Sequence, residues 1–207
     1  MTLAPRLMSV VILMVSVAAL AAQAVVSYGL AGGGSLLNLV WIMAAYFTVW
    51  INLVVAVTFG WLLFTARVGT AGWHGGLLLW IGTVGLIYNT ILRGIWAPVG
   101  LGWWADQGLH TAVPVLCVVW WVGIAPKSPL GWGHPLRWAV LPVVYCIYAL
   151  IRGQMTGLYA YPFIDVGVLG AGRTALNVVG LTAGFIFGGY LVVQASRFLP
   201  DKSMQTD

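Results

Sequence analysis

Long apolar stretches are the feature that most limits how this chain can fold. Six of them are long enough to cross the roughly 30 Å hydrocarbon core of a bilayer as helices, at about residues 7–30, 36–66, 76–96, 104–125, 135–153 and 174–198. Only 6% of the 207 residues are charged, and a soluble fold could not hide so much apolar surface. We therefore expect an all-α, polytopic membrane protein in which residues 1–207 form one domain of six transmembrane helices.

The basic residues between these stretches predict how the chain is oriented. If the N-terminus is cytoplasmic, the inner ends of the spans carry Arg6, Arg67, Lys127, Arg137, Arg197 and Lys202, and the outer ends carry Arg93, Arg152 and Arg173. This bias follows the positive-inside rule and predicts that both termini are cytoplasmic. A multi-pass protein of the plasma membrane, or of the inner membrane of a bacterium, is expected. No basic block suggests a nucleic-acid partner.

In this orientation the unusual polar residues gather toward the outer surface. Asp106 and His110 lie four residues apart at the start of the fourth span, which places them on one helix face. The other members of this group are Asn38, Thr48, Asn52, Asn89, Arg93, Arg152, Asp165, Arg173 and Asn177. Polar groups that converge at one depth in an apolar bundle predict a functional site.

His110 has two interpretations. It could hold the bundle together through a hydrogen bond between helices. It could instead be a general base, with Asp106 orienting its ring. Pro114, one turn later, has no N–H, so it frees a backbone carbonyl and could kink the helix beneath His110.

Thr48 also has two interpretations. In a continuous helix its hydroxyl would bond back to the carbonyl of Ala44, whereas beside His110 it would be an activated nucleophile. At the helical rise, Thr48 lies roughly 18 Å below the start of its span and His110 roughly 9 Å below the start of its own. A tilt or kink in the second span would be needed for the two to meet.

The remaining polar residues suggest supporting roles. Arg93 and Arg152 could lie at the interface, bind a carboxylate of a substrate, or pair with Asp106 and Asp165. Asn38, Asn89 and Asn177 are expected to hydrogen-bond between helices or, together with Asn52, to stabilise an oxyanion. The segment 154–173, with its aromatic residues, is predicted to be a long outer loop that folds back as a lid.

Cofactor and metal motifs are not found in the sequence. Cys117 and Cys146 lie within apolar spans and are expected to be buried thiols. His74 and His134 fall at the inner ends of spans, where we expect interfacial positions. No phosphate-binding loop, zinc motif or nucleophile elbow occurs, so we expect neither a cofactor nor a metal.

Three short motifs, in this order, resemble those of the androgen-induced gene family of membrane hydrolases. Residues 46–52 (YFTVWIN) resemble an element of that family's second helix, and Gly108–Thr111 with Pro114 resembles another. Residues 148–165, with their RG and YPFID segments, look like a signature of bacterial relatives. The spacing from Thr48 to Asn52 is one residue longer than in the animal motif, Pro114 comes one residue sooner, and Asp106 stands where animal relatives have Asn.

The resemblance implies a six-helix intramembrane hydrolase that cleaves fatty acid esters of hydroxy fatty acids. It implies that Thr48 is the nucleophile, that His110 is its base and that the lipid substrate is bound within the bilayer. A non-enzymatic carrier or channel for a small solute or lipid is the alternative, because polar residues on inner helix faces suit that function too. Many transporters are built from internal repeats, and the sequence shows no convincing one.

Overall fold

The chain folds into a bundle of helices, as expected. The computed structural model describes residues 1–95, 97–127 and 130–201, and all regular structure in these ranges is helical. The helices are α1 (Leu3–Leu30), α2 (Leu36–Met43), α3 (Phe47–Thr65), α4 (Ala71–Ile87), α5 (Leu101–Gln107), α6 (Val113–Gly123), α7 (His134–Thr156) and α8 (Val166–Phe198). Two π-helical turns, Tyr88–Leu92 and Gly108–Ala112, and a 3-10 turn, Pro162–Ile164, join them.

Five of the described helices are long and apolar enough to cross a membrane. They are α1, α3, α4 with the π turn that follows it, α7 and α8. Large apolar side chains cover their outer faces, and Phe64 and Val168 are 85% and 80% exposed. Such a surface suits lipid and indicates a membrane-embedded protein.

The bundle is assembled around α1, α3 and α4. Helix α1 packs mainly on α3 and α5, α4 on α6, α3 and α8, and α7 on α8. Glycines permit the closest approaches: a Cβ on Gly76 would lie 2.7 Å from the Trp138 ring, and one on Gly108 would lie 2.6 Å from Cβ of Ala19. The second contact presses the π turn of Gly108–Ala112 against α1, so a side chain at Gly108 would push them apart.

The predicted second span is interrupted. Helix α2 ends at Met43 and α3 begins at Phe47, with Tyr46 in an extended conformation between them. The Tyr145 hydroxyl donates to the Ala45 carbonyl at 2.6 Å, and the indole N–H of Trp50 donates to that of Ala44 at 2.9 Å. These donors satisfy carbonyls that would accept backbone N–H groups in a continuous helix. Because α3 begins at Phe47, Thr48 lies in its first turn.

The predicted fourth span is divided as well, although its backbone stays helical. Helix α5 passes through the π turn of Gly108–Ala112 into α6. The N–H of Val113 bonds to the carbonyl of Gly108, five residues earlier. Pro114 supplies no N–H in the next position, so the widened turn lies where the helix has lost a donor.

The predicted loop 154–173 is shorter than expected. Helix α7 continues to Thr156 and ends at Gly157, whose φ of 72° favours glycine. Asp165 then caps α8 by accepting from the N–H of Val168 at 3.1 Å, and Gly170, with φ 73°, breaks that helix near its start. The segment between the helices turns inward, and Ile164 is 3% exposed, so it closes one end of the bundle.

Candidate active site

The structure brings Thr48 and His110 together. Thr48 Oγ1 lies 3.2 Å from His110 Nε2. The interruption of the helix before α3 makes this contact possible. The Ala44 carbonyl accepts from the Trp50 indole, so the Thr48 hydroxyl does not bond back to it as it would in a continuous helix. The difference in depth between Thr48 and His110 that a continuous second span implied is therefore absent. A hydroxyl beside an imidazole nitrogen is the geometry of an activated nucleophile.

The other nitrogen of His110 faces Asp106. Nδ1 is 3.1 Å from the Asp106 carbonyl oxygen and 3.2 Å from its carboxylate Oδ1. Both oxygens are acceptors when the carboxylate is ionised, so Nδ1 carries the proton in the neutral ring. Nε2 is then free to accept the proton of the Thr48 hydroxyl. The side chains of His110 and Asp106 are only 14% and 6% exposed, which shields the arrangement from bulk water.

Tyr88 completes this arrangement, and the sequence did not reveal it. Its ring stacks on the His110 ring, with centroids 3.9 Å apart and planes 15° apart. Its hydroxyl donates to Asp106 Oδ2, which Gln107 also reaches with its amide at 3.3 Å. Tyr88 therefore fixes both the ring and the carboxylate that orients it. An aromatic residue in an apolar span usually belongs to the core. For this reason the polar residue Asn89 was singled out from the sequence, but the adjacent Tyr88 was not.

Asn52 and Asn89 hold the turn that carries His110. The Asn52 amide donates to the carbonyls of Thr48 at 2.9 Å and Leu109 at 3.3 Å, and the Asn89 amide donates to those of Gly85 at 2.9 Å and His110 at 3.2 Å. Pro114 cannot provide the N–H that would reach the His110 carbonyl in an α-helix, or the Leu109 carbonyl in a longer π-helix. The side-chain amides of Asn52 and Asn89 thus satisfy the Leu109 and His110 carbonyls, which Pro114 cannot reach.

We expect Asn52→Leu to destabilise the bundle. The change removes the donor to the Leu109 carbonyl in a site where Asn52 is 0% exposed, while the Thr48 carbonyl keeps the helical N–H of residue 52. A buried carbonyl left without a partner costs about 1–3 kcal/mol. Thermal unfolding in detergent, followed by tryptophan fluorescence, should show a midpoint several degrees lower. Asn38→Leu is the control, because Asn38 is exposed on α2; an equal loss in both variants would contradict the role given to Asn52.

The N-terminus of α3 points the backbone of Thr48 toward Tyr161. Tyr161 lines both cavities together with Thr48, and hydrogen bonding from Thr48, Phe47 and Tyr145 favours the ionised form of its phenol. Desolvation in the loop that closes the bundle raises the pKa of Tyr161, against a smaller opposing effect of these hydrogen bonds. The phenol therefore keeps its proton at neutral pH. N–H groups in the first turn of a helix have no helical acceptor, so those of Phe47 and Thr48, with the Tyr161 phenol beside them, are suited to binding a developing negative charge.

The predicted substrate-binding residues, Arg93, Arg152 and Asp165, and the supporting residue Asn177 each make a contact within the fold. Arg93 donates to Asn89 Oδ1 at 3.4 Å, and Arg152 lies over the ring of Trp41, 4.7 Å from its centroid. Asp165 is the cap of α8, and Asn177 donates to the Phe163 carbonyl at 2.9 Å, which ties the closing segment to α8. Arg152 and Asn177 contact other elements of the fold, and Arg93 and Asp165 bond within their own helical turns. Asp106 is the predicted supporting residue whose carboxylate faces His110 Nδ1.

The other singled-out side chains lie elsewhere. His74, in the first turn of α4, is enclosed by protein: it is 1% exposed and hydrogen-bonds to the Trp120 indole at 3.3 Å and to the Val68 carbonyl. The turn before α4 folds over it, which apolar flanks alone did not indicate. His134 starts α7 and bonds to Gly131. Cys117 is buried, as expected, and Cys146 is half-buried in a cavity wall.

Two cavities meet at the Thr48–His110 pair. We call the first the inner cavity; it has a volume of about 120 Å³ and lies among α3, α4, α7 and α8. The second, the outer cavity, has a volume of about 410 Å³ and lies among α1, α2, the end of α4 and the segment before α8. Both are lined by Thr48, Tyr88, Leu92, His110 and Tyr161. A ligand could therefore extend to either side of the pair.

Comparison with known proteins gives no neighbour for this chain. No family model, curated protein or solved structure matches it.

Proposed function

We propose that the protein is an intramembrane lipid ester hydrolase with Thr48 as nucleophile and His110 as general base. The observation that carries the proposal is the chain of contacts from the Thr48 hydroxyl to His110 Nε2 and from Nδ1 to Asp106, open to two cavities. Nucleophile, base and orienting carboxylate are the parts that hydrolases of unrelated folds share. A lipid ester within the bilayer is the substrate class that suits a site among apolar helices.

In the first half of the reaction an acyl group moves to Thr48. The Thr48 oxygen attacks the ester carbonyl carbon while His110 Nε2 takes the hydroxyl proton, and Asp106 stabilises the resulting imidazolium. The tetrahedral oxyanion is placed near the N–H groups of Phe47 and Thr48 and the Tyr161 hydroxyl. When the bond to the alcohol oxygen breaks, His110 gives that oxygen the proton, and the alcohol leaves.

In the second half water releases the acid. His110 Nε2 takes a proton from a water molecule as its oxygen attacks the carbonyl carbon of the acyl ester on Thr48. Collapse of the second tetrahedral species breaks the bond to Thr48, and the proton returns to the Thr48 oxygen. Arg93 is placed between two residues that line the outer cavity, Leu92 and Ile95. It is our candidate for holding a free carboxylate of the substrate.

The same proposal includes membership of the androgen-induced gene family and a six-span topology in the plasma membrane with both termini cytoplasmic. The sixth span would be α5, its π turn and α6 taken together, which are roughly 34 Å long at the helical rise. That length supports a crossing of the bilayer. The excess of basic residues at the inner ends supports the orientation.

A fluorophosphonate probe tests the nucleophile directly. We expect the Thr48 oxygen to bond to phosphorus as fluoride leaves and His110 takes the proton, giving a stable adduct on the peptide that contains Thr48. Purified protein in detergent would be treated with the probe, digested and mapped by mass spectrometry. Labelling should fall at least about tenfold in His110→Gln, since removing the base removes the activation.

Thr90→Val is the matched control for this labelling. Thr90 is an exposed threonine whose hydroxyl bonds back to the Leu86 carbonyl at 2.7 Å, and its loss should leave the adduct unchanged. An adduct at another residue would reject Thr48 as the nucleophile. If folded wild type gave no adduct and hydrolysed no ester in a lipid panel, the carrier function would become the better explanation.

A further inference from the structure

We propose that the two cavities divide the ester substrate at the Thr48–His110 pair. The inner cavity binds the hydrocarbon chain of the acyl group, and the outer cavity binds the alcohol portion and later admits water. This assignment rests on the proposed function, and it adds which part of the substrate each cavity takes. It is carried by the different chemistry of the two linings and by the order in which the products must leave.

The inner cavity is built for hydrocarbon. Its walls are mostly aliphatic and aromatic, with Val84, Ile87, Val143, Val178, Leu181 and Phe185 among the lining residues. Its two other threonines, Thr83 and Thr182, direct their hydroxyls to the carbonyls of Leu79 and Val178, at 2.7 and 2.8 Å. They therefore show the cavity mainly their methyl groups. A volume of about 120 Å³ is close to that of the roughly 150 Å³ cavity that accepts benzene.

The outer cavity is larger and more polar. Gln23 and Ser27 of α1 line it together with Tyr46, and the Gln23 amide donates to Ser27 Oγ at 3.1 Å. Its wall includes Ala160 and Pro162 of the segment that closes the bundle. The outer cavity thus offers hydrogen-bonding groups to an alcohol or to water, and it reaches the end of the bundle where the helices are connected.

The order of the reaction decides which portion goes where. The acyl chain stays attached to Thr48 after the alcohol has left, so it needs a cavity that holds it without exchange. The alcohol must leave before water can attack, so its cavity must connect to the end of the bundle and tolerate polar groups. Both cavities reach the segment between α7 and α8, but of the two only the outer cavity is lined by the polar side chains of Gln23 and Ser27.

Cysteine protection in the inactive Thr48→Val protein tests the assignment without catalysis. Cys146 lines the inner cavity and Cys117 does not, so Cys117→Ala leaves one inner reporter. Ser27→Cys, combined with Cys117→Ala and Cys146→Ala, gives one outer reporter. The rate of labelling by N-ethylmaleimide would be followed by intact-protein mass spectrometry. Thr90→Cys in the same cysteine-free background, on an exposed position, reports on partition into the detergent micelle.

Two isomeric esters serve as probes because they differ in where the long chain lies. Methyl hexanoate has the longer chain on its acyl side, of a length that suits the inner cavity, and a small alcohol, and its isomer pentyl acetate has the reverse. At about ten times its Kd, a bound ester leaves about one-tenth of the sites free, so labelling of a covered thiol should slow about tenfold. We expect methyl hexanoate to protect Cys146 and pentyl acetate to protect the Ser27→Cys thiol, with the Thr90→Cys thiol unaffected.

Three outcomes would overturn the assignment: the reverse pattern, equal protection of both reporters by both esters, or protection of neither. If Ser27→Cys does not fold, Gln23→Cys reports on the same cavity. Because the reporters measure binding, the expected pattern would stand even if the wild type cleaved no ester. Conversely, an active wild type with equal protection would reject the assignment and leave the proposed hydrolysis intact.

Discussion

Thr48→Val is expected to remove ester hydrolysis almost completely, with kcat at least about a thousandfold lower, in line with loss of a nucleophile in other hydrolases. Valine keeps the shape of threonine and deletes only the oxygen that lies 3.2 Å from His110 Nε2. His110→Gln should cost about as much. The double variant should be no worse than either, because nucleophile and base act as one unit. The measurement is kcat on a branched hydroxy-fatty-acid ester in detergent.

The control for this result is again Thr90→Val, which changes a threonine outside both cavity linings. It should keep wild-type kcat and the same thermal midpoint as Thr48→Val. Additive losses in the double variant would show that Thr48 and His110 act independently. A Thr48→Val protein that folds and retains activity would end the nucleophile assignment.

Asp106→Asn is expected to lower kcat by about a hundredfold to ten thousandfold with little change in KM. The carboxylate accepts from His110 Nδ1, so it selects the tautomer whose Nε2 can act as a base. An amide whose N–H₂ faces Nδ1 opposes this tautomer, which the backbone carbonyl oxygen of residue 106 alone would then support. The amide also cannot stabilise the imidazolium. Tryptophan fluorescence and a thermal midpoint would establish that the variant is folded before kcat and KM are compared.

Tyr88→Phe is the matched variant for this test. It keeps the ring that stacks on His110 and removes only the hydroxyl that donates to Asp106 Oδ2. Its loss of kcat should be clearly smaller than that of Asp106→Asn. If the two variants lost the same activity, the hydrogen bond between tyrosine and carboxylate would matter as much as the carboxylate charge. Full activity in Asp106→Asn would rule out the orienting role.

The sequence predicted which residues form the centre of the candidate site, but not that Thr48 would contact His110. Polar residues are rare in the apolar stretches, so Thr48, Asp106 and His110 stood out from spacing and composition alone. Their approach depends on the helix break before α3. The hydroxyl of Tyr145, one hundred residues further along the chain, stabilises this break by donating to the Ala45 carbonyl. A periodicity argument reads local spacing and has no access to such a contact.

The prediction of an all-helical fold was confirmed for the described residues. It could be made from composition because a very apolar chain with few charges has few other ways to satisfy its backbone in a membrane. The expected boundaries were less accurate where the helices are irregular. Pro114 marked a disturbance near His110, but it did not show that a π turn would form or that Asn52 and Asn89 would bind its carbonyls. Tyr88 carried no signal, since its role follows from a neighbouring helix.

The π turn at Gly108–Ala112 also bears on how this chain can change in length. Such a turn is equivalent to one residue inserted into an α-helix, and each residue rotates the helix by about 100°. Deleting a single residue between Asp106 and Pro114 would restore a regular α-helix. It would also turn His110 away from Thr48 or Asp106 away from His110. Insertions and deletions in this short stretch should therefore be selected against as strongly as replacement of His110 itself.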